Sequence, residues 1–323
     1  MRFIARRLIH SFFLLIGVTV LLFSFFHLAP GDYLTDIQMN PQISTATLNG
    51  LREQYGLNQS LPTQYVRWLG SVARGEFGYS FTYNAPVGPL LAVRLRNTLM
   101  LTAPALAFAW VLALCFGCWS AWNHNQWVDQ LISGGNTFLL VMPDLSIALL
   151  LLLLALHSGW FSVGGMNSVN YEGLSWVGKL KDVFSHFTLP VLVLTLSSLP
   201  VLLRHVRSAV IEVLDTPYIQ AARGHGIGPG RLLLRHVLPA AANPLLSLFG
   251  LSIASMLSGS LLIEVIMSWP GIGPLFLEAV FARDLYVILG SVIISTLILA
   301  LSSLLVDGLL YFADPRIRLE TKP

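Results

Sequence analysis

The sequence predicts an all-α, polytopic membrane protein with six transmembrane helices. Three observations carry that prediction. Of 323 residues, 55% are hydrophobic and only 11% charged, with a mean hydropathy of +0.70, well away from soluble usage. The apolar residues gather into runs of roughly 20, each enough to cross a ~30 Å hydrocarbon core. Lys and Arg fall mainly on alternate connections between those runs, as expected for cytoplasmic loops. Length alone would allow two soluble domains, but the apolar runs overrule it. The net charge of +3 comes without the clustered basic face of a nucleic-acid binder, so no nucleic-acid partner is expected.

The first span is expected over 8–28, after Arg2, Arg6 and Arg7. Its apolar run is longer than the core of a signal peptide, and Ala29-Pro30-Gly31-Asp32 is a poor cleavage site, so the span is read as retained. Residues 30–97 form a polar external region rich in helix breakers, including a short helical pattern at Leu51-Arg52-Glu53-Gln54-Tyr55-Gly56-Leu57. Five Arg lie there (52, 67, 74, 94, 96), which the positive-inside rule tolerates in a loop longer than ~60 residues. Further spans are expected at 99–119, 131–156, 187–203, 240–267 and 286–311, with a second external connection at 157–186. This layout places both termini, a tail from 313 and a loop at 215–239 in the cytoplasm, giving the regions 1–29, 30–97, 98–312 and 313–323. The inner side then receives Arg204, Arg207, Arg223, Arg231, Arg235, Arg316, Arg318 and Lys322. The short outer connections receive Lys179, Lys181 and Arg283. The inner loop 123–130 has neither Lys nor Arg, so charge alone does not orient the second and third spans.

Glu264 and Asp307 lie within apolar runs, where a charge costs about 2.5–3.5 kcal/mol on insertion scales and usually faces the bundle interior or water. They are candidates to line a solute pathway; the alternative is a helix-packing hydrogen bond or a position near the membrane surface. Asp144, beside Pro143, is expected at a helix distortion. Cys115 and Cys118 form C-x-x-C on an apolar span, where small packing residues are expected rather than redox or metal chemistry. The eight histidines show no zinc spacing. Gly224 to Gly230 is glycine-rich but lacks the Lys-Ser/Thr and preceding strand of a phosphate loop. No G-x-S-x-G or comparable nucleophile occurs, so the chain is expected to be non-catalytic, with no cofactor or metal of its own.

The most punctuated stretch is DTPYIQAARGHGIGPGRLLLRHVLP, residues 215–239. Asp215 and Thr216 are good N-cap residues, and Pro217 suits the first helical position. A short helix is expected from Pro217 to about Gly224, where glycine can adopt the left-handed C-terminal conformation. Tyr218, Ala221 and Ala222 share one face, whose small residues would let another protein approach closely. Gly226, Gly228, Pro229 and Gly230 turn the chain, with a positive φ expected at Gly226, and a second helical piece runs from Arg231 to Leu238, ending at Pro239.

This stretch resembles the cytoplasmic "EAA" loop of bacterial ABC-importer permeases, in which Glu-Ala-Ala is followed by Gly and a closing Leu-Pro. Gln220, Ala221, Ala222, Gly226, Leu238 and Pro239 occupy those places, with Gln220 for the acid and His236 where the pattern has Ile. Arg74-Gly75-Glu76-Phe77-Gly78, Ser268-Trp269-Pro270-Gly271-Ile272-Gly273 and Asp314-Pro315-Arg316 resemble runs of the "B"-type permeases for dipeptides, oligopeptides and nickel. The resemblance implies a type I importer permease fold in a bacterial inner membrane. It implies four kinds of partner: a second homologous permease, two ABC ATPase subunits that hold ATP and Mg, an extracytoplasmic substrate-binding protein, and membrane lipid. It further implies that Tyr218, Gln220, Ala221, Ala222, Gly224, Gly226, Leu238 and Pro239 form the loop that couples to an ATPase. An ion-coupled secondary transporter remains the alternative, since such proteins also place charges and broken helices near the midplane. A membrane-embedded enzyme is a third class, without a catalytic constellation to support it.

Overall fold

The computed structural model describes residues 2–28, 59–80 and 82–313, apart from some side chains toward the ends of the first and last helices and that of Asp307. The helical pattern at 51–57, the Pro30-Gly31-Asp32 run and the basic tail from Asp314 lie outside the described residues. The chain forms two compact units, one of 1–97 with 270–300, the other of 98–269 with 301–323.

In order, the helices are α1 (Arg2–Leu28), α2 (Leu61–Val72), α3 (Val87–Trp122), α4 (Trp127–Val141), α5 (Asp144–Ser158) and α6 (Trp176–Leu214). There follow α7 (Pro217–Gly224), α8 (Pro229–Leu232), α9 (Leu238–Ala240), α10 (Ala242–Ile266), α11 (Ile272–Phe281) and α12 (Leu285–Ala313). A π-helical turn, Leu233–Val237, joins α8 to α9. Two short antiparallel strands, β1 (Tyr79–Ser80) and β2 (Ala85–Pro86), form a hairpin before α3. Among the described residues four helices are long and apolar enough to cross a membrane, namely α3, α6, α10 and the Leu285–Leu310 part of α12. The described apolar part of α1 is Phe12–Phe25.

The expected third span, 131–156, is two helices. α4 and α5 meet at 99°. The break, though not its angle, has a local cause: proline disfavours a helical residue before it, and Met142 is extended (φ −73°, ψ 125°). The Pro143 carbonyl then accepts from Ser146 and Ile147 to start α5. Each arm has 15 residues, about 22 Å of helix, too short to cross the core alone. α3 also differs from expectation: it starts at Val87, so 87–97 is helix rather than loop. Its first turns bury Val87 and Leu91 against Leu275 and Ala279.

In the second unit α6 is central and packs on α4, α5 and α10. α3 meets it at Ala105 and Gly117, the two ends of a buried run of small residues four apart, Ala105, Ala109, Ala113 and Gly117. Membrane helices approach closely over such residues. A Cβ on Gly117 would lie 2.8 Å from Val206 Cγ1, and Thr195 Oγ1 donates to the Ala105 carbonyl at 3.3 Å. At the far end of α10, Trp269 is fully buried against Phe187, and the Gly165 amide donates to the Met267 carbonyl.

In the first unit Trp68 of α2 is buried against Phe23, Leu289 and Ile293, and Tyr65 shares a hydrogen bond with Thr19. The Arg74–Gly78 run leads into the hairpin, and Gly78 (φ +102°) lies against Tyr286. The hairpin is pinned to the α11–α12 connection: Ser80 Oγ donates to Asp284 Oδ2 at 2.6 Å and the Tyr83 hydroxyl to Glu278. Partial burial, then that carboxylate, pushes the Tyr83 hydroxyl up to about 12. Asn97 Nδ2 donates to the Pro270 carbonyl at 2.8 Å.

Candidate functional site

The short helix of the 215–239 stretch forms where the sequence predicts it, Pro217–Gly224, with two changes at its ends. Thr216 takes the N-cap place through its carbonyl, which accepts from Ile219 and Gln220. Its hydroxyl turns back to the Val213 carbonyl at 2.6 Å, while Asp215 closes α6. The left-handed residue is not Gly224 but Gly226 (φ +77°). The Gly226 amide donates to Arg223 and the Ile227 amide to Ala222, the two crossed bonds of a Schellman ending. A Cβ on Gly226 would meet nothing within 4 Å. Its need for glycine is therefore one of backbone conformation alone.

Burial divides this helix differently from the predicted face. Ile219 is 0% exposed and anchors the helix in the core, with half-buried Ala222 and Ile227 beside it. Tyr218 is 51% exposed, and Gln220, Ala221 and Gly224 are also exposed. Ala222 thus belongs to the anchoring face, leaving Tyr218, Gln220 and Ala221 on the exposed side. Ile219 was overlooked because a single apolar residue gives no periodicity to read. Downstream, Leu232 and Val237 are fully buried. The π-helical turn between them brings residues five apart to the same side. Leu238, half-buried, and Pro239, exposed, begin α9.

Two contacts tie this loop end to the spans. The Arg223 guanidinium lies 4.7 Å from the ring centre of Trp122, the last residue of α3. Beside that end of α3, Arg207 of α6 grips Asp129 of α4 bidentately, Nε to Oδ1 and Nη2 to Oδ2, both at 2.7 Å. The same carboxylate accepts from Ser120 and from the Asn125 amide at 2.9 Å, and His124 lies 3.2 Å away. Asp129 is 3% exposed. Leaving a buried charge unpaired costs about 3–5 kcal/mol, and here nearly every lone pair is satisfied. This explains the connection 123–130, which has no cation in its own sequence: Arg207 supplies one from α6.

A second feature is a groove of about 590 Å³ between α6 and α10. One wall is the α6 face Leu194, Ser197, Ser198, Val201, Leu202 and His205; α10 supplies Ser252, Ser255 and Ser258 to the other; and Asp144 borders it. Glu264 is not in that lining: it is 0% exposed, enclosed within the unit, one residue beyond groove-lining Ile263. The Asp307 side chain lies outside the described residues.

Comparison with known proteins agrees with this architecture. The family described as "Binding-protein-dependent transport system inner membrane component" matches residues 113–319, and its N-terminal companion matches residues 1–102. The oligopeptide transport system permease protein AppB of Bacillus subtilis is 36% identical over 317 residues, covering 98% of each chain. The dipeptide transport system permease protein DppB of Alkalihalophilus pseudofirmus is 32% identical over 327 residues, covering 97% of this chain and 98% of its own. A glutathione transport system permease protein, GsiC of Salmonella paratyphi A, is 30% identical over 322 residues, covering 98% of this chain and 99% of its own. Among solved structures, inward-facing MetNI methionine ABC transporter superposes with a TM-score of 0.53 at 17% identity, covering 68% of this chain and 95% of that one. That likeness carries the fold of an ABC-importer permease. Full-length relatives and both family matches leave one conclusion: the chain belongs to the family of binding-protein-dependent transport system inner membrane components.

Proposed function

We propose that this chain is one of two permease halves of an ATP-driven importer of di- or oligopeptides, or of related small solutes such as nickel complexes. It works with a homologous permease, two ATPases that bind ATP and Mg, and an extracytoplasmic binding protein. The observation that carries the reading is α7: a short helix, anchored by one buried isoleucine and a left-handed glycine, that presents Tyr218, Gln220 and Ala221 outward. Such a helix can seat in a partner and pass its motion through Arg223–Trp122 and Arg207–Asp129 into α3, α4 and α6.

Six crossings follow if α1 and the broken α4–α5 pair each count as one, with both termini in the cytoplasm. The bonds between connections favour that topology. Ser80–Asp284 and Asn97–Pro270 join segments assigned outside, as does Gly165–Met267. Arg207–Asp129 and Arg223–Trp122 join residues assigned inside. A single cysteine at Gly228→Cys, with Cys115 and Cys118 replaced, should react with an impermeant thiol reagent only after permeabilisation. Reaction in intact cells would reverse the topology.

The coupling role is tested in the reconstituted complex by Ala221→Trp. Ala221 is exposed, so the change adds bulk only where a partner would dock, and overpacking a fitted contact costs about 1–3 kcal/mol. Uptake should fall by about one to two powers of ten, with the permease assembled and its ATPase no longer stimulated by loaded binding protein. Uptake at the wild-type rate would remove α7 from the mechanism.

A further inference from the structure

The groove between α6 and α10 has a chemistry that packing alone does not call for. Its α6 wall repeats at i, i+3, i+4, i+7, i+8 and i+11 from Leu194, one continuous helical face that includes Ser197, Ser198 and His205. Ser255 and Ser258 face it from α10, three residues apart and exposed. A helix face turned to lipid favours apolar residues, because hydrocarbon offers a hydroxyl no partner. Here the hydroxyls are concentrated on facing walls. Ser197 Oγ is buried in the wall with no hydrogen-bond partner. The Asp144 side chain, exposed at the border, makes no hydrogen bond or ion pair among the described residues. It is the one carboxylate of the lining, which has neither Lys nor Arg. A carboxylate in the sequence Met142-Pro143-Asp144-Leu145 without a protein cation is a site that calls for one from outside.

We propose that this groove is a solute subsite in which Asp144 pairs with the ammonium end of a peptide while the serines hydrogen-bond its amide groups. The volume, about 590 Å³, is in the range of small-ligand sites. The His205 Nδ1 lies 2.8 Å from the Val201 carbonyl, so it donates there and the ring is fixed on the groove wall. The groove offers the Asp144 carboxylate and hydroxyl acceptors: Ser198 donates to Met256 Sδ, Ser252 to the Phe249 carbonyl and Ser255 to the Ser252 carbonyl, so their oxygens are left to accept from a donor-rich amino terminus. The inference rests on the reading of the chain as a peptide permease half.

The test uses the whole transporter in proteoliposomes, with trialanine and N-acetyl-trialanine as probes. In a background free of Cys115 and Cys118, Ser258→Cys is treated with cationic and anionic methanethiosulfonates of equal size. The cationic reagent should react about tenfold faster, and Asp144→Asn should abolish that ratio. Trialanine should slow the reaction, and N-acetyl-trialanine should not. Without the added cysteine, Asp144→Asn should lower trialanine uptake at saturating loaded binding protein about tenfold. Binding-protein-stimulated ATPase should persist, and Asp144→Glu should restore uptake. A reagent ratio unchanged by Asp144→Asn, or undiminished uptake in that variant, would overturn the subsite while leaving peptide import intact. A wild-type transporter that imports no peptide would refute the parent reading, and the reagent ratio would then decide on the cation site by itself.

Discussion

Asp129 and Asp144 lie on α4 and α5, two helices that meet at 99°, and have opposite surroundings. Asp129 opens α4 with a bidentate arginine, a serine and a backbone amide around it, all but inaccessible to solvent. Asp144 opens α5, exposed at the border of a serine-lined groove, with no bond from the described residues. The same contrast extends to their neighbourhoods. Around Asp129, Arg223 covers Trp122, and a Schellman turn closes α7. Around the groove, Ser197 Oγ is unsatisfied. A carboxylate whose bonds are all made holds helices together; one whose bonds are missing leaves room for something that comes and goes.

The largest effect should come from the tied end. Asp129→Ala leaves Arg207, 26% exposed, with only Ser120 and His124 and should cost about 2–3 kcal/mol, seen as a steep loss of assembled permease and of its detergent melting temperature. Asp144→Ala should leave both unchanged. Equal losses for the two would erase the distinction. Next comes Gly226, whose left-handed conformation disfavours a β-branched residue by about 1–3 kcal/mol. Gly226→Val should uncouple ATPase from uptake, whereas Gly226→Asn, a residue that visits this conformation, should retain most of both. A harmless Val would mean that the turn's geometry does not matter. The smallest effect is at Arg223→Gln. An exposed cation–π contact is worth about 0.5–1 kcal/mol, so stimulated ATPase should drop about two- to fivefold, and Arg223→Lys should recover part of it.

The punctuation of 215–239 made α7 readable in the sequence, because Thr216-Pro217 and Gly226 act on the backbone within a few residues of themselves. Its orientation was not readable: Ile219 alone decides which side faces inward, and one residue has no period. Asp129–Arg207 was invisible for another reason. The partners are 78 residues apart, and nothing local in either helix marks the other. The break at Met142–Pro143 lay between these extremes. Pro143 was flagged as a distortion beside Asp144, but a bend of 99° depends on how both arms pack on α6, which the apolar run does not encode. The groove was missed because single serines in apolar helices look like packing residues until two helices bring them face to face.

The length of α6 has a mechanical corollary. Its 39 residues make a rod of about 58 Å, nearly twice the ~30 Å core, so much of it must tilt or stand in the headgroups and water. Two prolines sit inside this rod, each removing one rung of the hydrogen-bond ladder and easing a bend: Pro190 and, between groove-lining Ser198 and Val201, Pro200. Its carbonyl is already held by Asn136 Nδ2 of α4 at 3.1 Å. The groove straddles this fulcrum, and Leu214, just before α7, lies about 20 Å beyond it along the axis. Pivoting by ~10° would swing that tip through about 3–4 Å. Under the coupling proposed for α7, α6 would act as a lever with a short throw that carries a push on α7 to the groove.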